Sequence, residues 1–177
     1  ETLSDGRLNP SCHAGLPYST ITAEDILRMA GNPPSVPKER GQWFIASTYA
    51  EADARCHEAQ REGGEFHWLP VDLDGGNLSI EEVDEILAEV IGDAARVIYA
   101  SRSATAENKK WRALVLLAKP VSGADFRDVQ NAFFDVLEQV SEGVLIPDRA
   151  LARPGQLVYL PNRGDHYESR IVEGEAL

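Results

Sequence analysis

Residues 66–100, "FHWLPVDLDGGNLSIEEVDEILAEVIGDAARVIYA", read as strand, turn, helix and strand in succession, and the topology hangs on them. The run 66–74 is apolar and bounded by Gly75-Gly76, which suits a strand ending in a turn. Ser79 with Glu82 makes a capping box, and Ile80, Val83, Ile86, Leu87 and Val90 follow at helical spacing. "RVIYASRS" at 96–103 is the returning strand. A strand–helix–strand unit of this kind runs its two strands in parallel.

The flanking segments extend the pattern. "WRALVLLAK" at 111–119 is a third strand, reached through the polar turn "ATAENKK". Ser122 and Asp125 open a helix to about residue 140, with Phe126, Val129, Phe133, Val136 and Val140 on one face. "QLVYLPN" at 156–162 is the last strand expected. The order β-α-β-β-α-β is the split βαβ arrangement, so the expected fold is α/β (α+β) with a ferredoxin-like (RRM-like) palm over 66–177. Residues 1–65 are expected to form a small N-terminal α/β subdomain. It holds a helix capped by Thr22 and stopped by Gly31, and a Pro-rich connector "NPPSVPKERG". A strand "QWFIAS" follows, then a polar helix from Thr48 to about Arg61.

The 177 residues suit one domain, or a core with a small subdomain, and a hydrophobic fraction of 43% gives no case for disorder. No apolar run approaches the roughly 18–20 residues of a bilayer span. The polar start "ETLSDGRLNPSCHAG" is no signal peptide, and the expectation is a cytoplasmic domain excised from a longer polypeptide. Cys12 and Cys56 are too few for a disulfide scaffold and fit a reducing compartment. A formal net charge of −12 argues against a bare electrostatic nucleic-acid binder. It leaves room for an enzyme that holds phosphates through metal ions.

Asp72 and Asp74 carry the chemistry. Strand side chains alternate, so these two share a face while Val71 and Leu73 share the other, where the helices are expected to pack. Two carboxylates a few ångströms apart repel unless a proton or cation intervenes, and Mg²⁺ or Mn²⁺ shared with substrate phosphates is the natural partner. The expected topology brings the ends of "VDLD" and "YASRS" to one sheet edge with the starts of "WRALV" and "QLVYL". Ser101, Arg102, Ser103, Lys109, Lys110, Arg112 and Asp148 would stand there with the acid pair. Paired acids, a third acid and basic donors describe metal-assisted chemistry on a phosphorylated substrate. A solvated turn at Asp74-Gly75-Gly76 with decorative lysines is the plainer reading of the same residues.

"WLPVDLDGG", "VIYASRSAT" leading into "KKWRALVLLAKPV", and "PDRALARPGQLVYLPNR" together resemble the primase–polymerase domains of the archaeo-eukaryotic primase superfamily. The likeness spans about residues 66–163 and is greatest to the domains at the N-termini of phage and plasmid replication proteins. It implies DNA primase and polymerase activity, with Asp72 and Asp74 as catalytic ligands of two metals and Asp148 as the third acid. The partners it implies are a single-stranded DNA template, NTP or dNTP, and a helicase in the same polypeptide or a separate replication helicase. In that family the second motif ends on a histidine that contacts the nucleotide. Ala104 stands about there in this chain, and Ser101, Arg102, Ser103 or Arg112 would take over the phosphate contact.

Three other readings stay open: a catalytically weak or inactive replication-initiator module of the same fold, a nucleotide cyclase, and a Rep-type nuclease. The last lacks its H-x-H pair. Cys12-His13 and Cys56-His57 lack zinc spacing, and no P-loop or nucleophile elbow is present. Trp43, Trp68 and Trp111 suit base stacking or a core, and His67 and His166 a surface or loop role.

Overall fold

The computed structural model describes residues 17–177; the Cys12-His13 pair lies outside them. The described chain is mixed α+β, with α1 (Ala23–Gly31), β1 (Trp43–Phe44), α2 (His57–Gly63), β2 (Glu65–Leu73), α3 (Ile80–Ile91) and β3 (Arg96–Ala100). It continues with β4 (Trp111–Ser122), α4 (Phe126–Val140), β5 (Val158–Tyr159) and β6 (Ser169–Val172). Two 3-10 turns, Lys38–Arg40 and Arg149–Ala152, complete it. β2, β4, β3 and β6 form one antiparallel sheet in that order, and β1 pairs with β5 in a second. No described helix is long and apolar enough to cross a membrane.

Local signals explain the element starts. Thr22 Oγ1 accepts the Asp25 N–H at 3.1 Å while Asp25 accepts the Thr22 N–H at 3.3 Å. The Arg28 guanidinium, 2.6 Å away, and this cap hold the Asp25 carboxyl below its usual range. The Ser79–Glu82 box is formed reciprocally at 3.2 and 2.7 Å. β2 tolerates Pro70 because it is an edge strand, where one missing donor breaks no ladder.

The core lies between the sheet and the two long helices. α3 buries Ile80, Val83, Leu87 and Ile91. α4 buries Phe126, Gln130, Phe133, Phe134 and Leu137, so its inward stripe is rotated from the one expected. Val129 and Val136 face solvent. Phe126 stacks on Phe66 with centroids 3.8 Å apart, and the buried Gln130 amide donates to the Pro70 carbonyl at 2.9 Å. Those two contacts set the rotation of the helix, overriding a simple apolar count.

Three other expectations are corrected. The helix expected from Thr48 begins only at His57, because Gln60 reaches back to the carbonyls of Tyr49 and Ala54 at 2.9 and 2.8 Å and fixes non-helical turns there. The expected strand 42–47 is paired only at Trp43–Phe44 and a bridge at Ser47. "QLVYLPN" contributes only Val158–Tyr159, paired with β1; the fourth place in the large sheet goes to Ser169–Val172, where no element was expected. The described residues before 65 are tied to the rest, with α1 against β3 and β6 and the β1–β5 pair between them.

His57 closes one of these ties. Its Nδ1 accepts the Gly155 N–H at 3.0 Å, and burial, aided by Arg153, Arg127 and Arg61, lowers its pKa. A lowered native pKa means the folded chain binds fewer protons. This contribution is therefore full above the unfolded value of about 6.5 and lost as pH falls through the native one. His57→Ala should cost about 0.5–1.5 kcal/mol in urea denaturation near pH 7.5, and the gap to wild type should narrow near pH 5.

Candidate functional site

The cross-strand register builds the site. Asp72 lies opposite Arg112, and Arg112 lies opposite Tyr99, so the three share one face of the sheet. Tyr99 is buried and donates its hydroxyl to the Tyr159 carbonyl at 2.7 Å, which lays residues 158–160 over that face. Burial raises the Tyr99 pKa far above the ordinary phenol value, keeping it a neutral donor. The face carrying Asp72 is therefore roofed at its centre, because the last predicted strand leaves the large sheet to cross it.

Asp72 and Arg112 form a half-buried to buried ion pair. Arg112 Nε and Nη2 both donate to Asp72 Oδ2, at 3.0 and 2.9 Å. Asp72 Oδ1 is buried without a hydrogen-bond partner. Burial raises the Asp72 pKa against the opposing pull of Arg112, and the charges of Asp74 and Asp148 raise it further. Burial disfavours the Arg112 cation, but Asp72 outweighs it and raises the arginine pKa.

The other acids approach from two sides. Asp148 donates its backbone N–H to the Asp72 carbonyl at 2.9 Å, next to a Leu73–Pro147 bridge. Its Oδ1 caps the following 3-10 turn at Ala150, 2.9 Å away. Asp74 is exposed and sits 3.3 Å from the Lys110 ammonium. Its turn uses positive φ at Gly76 and Asn77, and Asn77 Oδ1 accepts the Lys109 N–H at 2.8 Å. That bond ties the acidic turn to the β3–β4 hairpin.

On the other side of Arg112 lies a narrow cleft with about 10 Å³ of free room, enough for one water, lined by Ser101, Arg102, Ser103, Arg112, Tyr159, Leu160, Asn162 and Lys38. Three of its lining side chains are cations and none is a carboxylate, in a chain of net charge −12. Arg102 is held by donating to the Val36 carbonyl at 3.0 Å, and Ser101 and Ser103 hydroxyls lie 3.3 Å apart. Gly164 packs on the Arg102 carbonyl so closely that a Cβ would overlap it. A second, wider chamber shares Lys38, Arg102 and Ser103 and reaches Ala104, Glu39 and Asp165.

Sequence reading placed Ser101, Arg102, Ser103 and Arg112 at this edge, and they line one cleft. It missed Lys38, Asn162 and Tyr159. Asn162 exchanges two hydrogen bonds with Val36, both 3.0 Å, and so fastens the connector "NPPSVPKERG" over the cleft. The cluster Lys-Glu-Arg in that connector was the available signal. Ala104 is buried, and its carbonyl accepts the His166 N–H at 3.3 Å. Trp111 is buried too, with its indole N–H on the Leu78 carbonyl at 2.9 Å, so it is core and no stacking platform.

Hard oxygen donors on Asp72, Asp74 and Asp148, with one buried acceptor unpartnered at Asp72, fit Mg²⁺ or Mn²⁺. Among the described residues no three acidic, histidine or cysteine side chains converge as they stand. Asp72 and Asp74 are turned onto Arg112 and Lys110 instead. Comparison with protein-family models, curated proteins and solved structures gave no match.

Proposed function

We propose that the domain is the palm of a DNA primase–polymerase, transferring nucleotidyl units from NTP or dNTP on a single-stranded DNA template. The observation that carries this is the contact of two unlike sites at one residue pair: carboxylates on the Asp72 side, a cationic cleft on the Arg112 side. Polyphosphate chemistry needs both next to each other. β4 lies between β2 and β3, the two strands that α3 connects, and this split βαβ half supports the ferredoxin-like reading of the palm, although β6 adds beside β3 and leaves β2 at the edge where that fold would place its last strand.

In this reading Asp72, Asp74 and Asp148 hold Mg²⁺ or Mn²⁺, which when bound offsets phosphate charge and acidifies the attacking 3′-hydroxyl. Arg102, Arg112 and Lys38 neutralise the triphosphate, and Ser101 and Ser103 donate hydroxyl hydrogen bonds to it. The acidic surface gives little template affinity, so that is supplied by an adjoining helicase domain or a replication helicase. The buried Ala104, where the resemblance expects histidine, favours a second reading: a binding or initiator module without synthesis.

The test is incubation with single-stranded DNA, Mn²⁺ or Mg²⁺ and labelled NTPs or dNTPs. Template-dependent oligomers support the enzyme. Metal-independent DNA binding with no product supports the module, and template-independent cyclic product supports a cyclase. Lys38→Ala should weaken binding of tripolyphosphate in the presence of Mg²⁺ about tenfold in calorimetry while leaving the melting temperature unchanged, since Lys38 is exposed and lines the cleft.

A further inference from the structure

The Asp72–Arg112 pair leaves one carboxylate oxygen without a partner, whereas the equally converging Arg96–Asp84 pair has its second oxygen taken by Arg170. An arginine beside a carboxylate commonly uses both carboxylate oxygens, whereas at Asp72 both nitrogens converge on Oδ2 and Oδ1 is left buried and unpaired. The pair also stands at the boundary between the two half-sites. While it persists, the acidic side lacks its most buried ligand and the cationic cleft lacks its most buried cation. Asp74 and Lys110 repeat the arrangement in exposed form at 3.3 Å.

We infer that the Asp72–Arg112 pair is a latch that keeps the carboxylate site and the phosphate cleft shut against either ligand alone, and opens to a polyphosphate that carries its divalent cation. This rests on the reading of the cleft as a nucleotide site. The reason is compensation of buried charge. A cation alone at Asp72 leaves Arg112 buried and unpaired, and a polyphosphate alone at Arg112 leaves Asp72 so; each is costly. When both arrive, the metal takes the place of Arg112 at Asp72 and a phosphate takes the place of Asp72 at Arg112. No charge is left uncompensated, and partners are exchanged without net loss.

Binding experiments without template test this directly. Mn²⁺ alone, followed by water-proton relaxation, should bind Arg112→Gln about tenfold more tightly than wild type, because Asp72 is released. Lys38→Gln, which removes a cation from the same cleft without freeing Asp72, should not reproduce the gain. Tripolyphosphate in EDTA should bind Asp72→Asn about tenfold more tightly than wild type. In the wild type the Arg112 Nε–H resonance should shift on adding Mg²⁺ with tripolyphosphate and stay in place with either alone. Unchanged affinities, an equal gain in Lys38→Gln, or a resonance that moves with one ligand overturns the latch. Should Arg112→Gln fail to fold, Asp72→Asn and the wild-type resonance decide. Altered affinities in a protein that makes no polymer would keep the latch and reject the polymerase. Polymer synthesis with unaltered affinities would do the reverse.

Discussion

Asp84→Ala should destabilise the protein by about 3–5 kcal/mol, the cost of leaving a buried guanidinium without its counter-charge. Arg96 is 3% exposed at its side chain and Asp84 10%. Arg96 Nε and Nη2 reach Asp84 Oδ1 at 2.7 and 2.6 Å, and Nη1 donates to the Gly92 and Ala94 carbonyls at 3.0 and 2.9 Å. Arg170 on β6 closes on the other oxygen at 2.6 Å. One carboxylate therefore joins α3, the start of β3 and the outer strand of the sheet. For a chain of this size the loss should lower the melting temperature by roughly 10 °C. Hydrogen exchange should show Ser169–Val172 opening first, since β6 pairs only with β3 and loses Arg170's anchor with Asp84. A double variant, Asp84→Ala with Arg96→Met, should recover most of the loss, because no buried charge is then left over. A small effect of the single variant would show that water reaches Arg96 and compensates it.

That pair marks the limit of what the sequence discloses. Asp84 sits inside "IEEVDEILAEVI" among four glutamates, and nothing in the one-dimensional pattern separates it from the solvated acids around it. Its partner is set by where β3 begins under the helix, a tertiary fact. The elements whose signals are local were legible: the capping boxes at Thr22 and Ser79, the alternation Val71/Asp72/Leu73/Asp74, and the turn at 104–110. β6 escaped notice because "SRIV" is short and half polar, and the turn residues Gly164-Asp165 lie several residues ahead of it. Its place in the sheet follows from pairing with β3 and from Arg170, both long-range.

The candidate site divides the same way. Topology alone put Ser101, Arg102, Ser103 and Arg112 at the edge that ends β2, and the cleft contains all four. The register that sets Arg112 directly against Asp72 was not readable, because β2 and β4 are joined by no turn that would fix it: α3 and β3 lie between them in the chain. Lys38 was hidden for a different reason. It lies in a connector with no periodicity, and long-range hydrogen bonds of Asn162 and Arg102 to Val36 and of Arg163 to Pro34 carry it over the cleft.

On the proposed polymerase reading, Asp72→Asn with Asp74→Asn should reduce template-dependent nucleotidyl transfer about a thousandfold, equivalent to roughly 4 kcal/mol of transition-state stabilisation. The amides keep the volume of the side chains, and the amide oxygen at position 72 can still accept from Arg112, so the fold should persist by circular dichroism, at a lower melting temperature because the buried guanidinium loses its counter-charge. What disappears is anionic oxygen at the boundary of the two half-sites, the property on which divalent-cation binding depends. Asp148→Asn should cost less. Its Oδ1 is engaged at Ala150 and its backbone, which the substitution does not touch, makes the contact to Asp72. The ranking discriminates between readings of the same cluster. If the aspartates are only turn formers beside decorative cations, the double variant keeps whatever activity the wild type shows and changes only its melting temperature. If they are ligands, activity collapses while the fold persists, and tripolyphosphate binding in EDTA is retained and strengthened, because Lys38, Arg102 and Arg112 remain and Arg112 is released from Asp72. That retained affinity separates loss of the metal site from loss of the cleft, which an activity assay by itself does not.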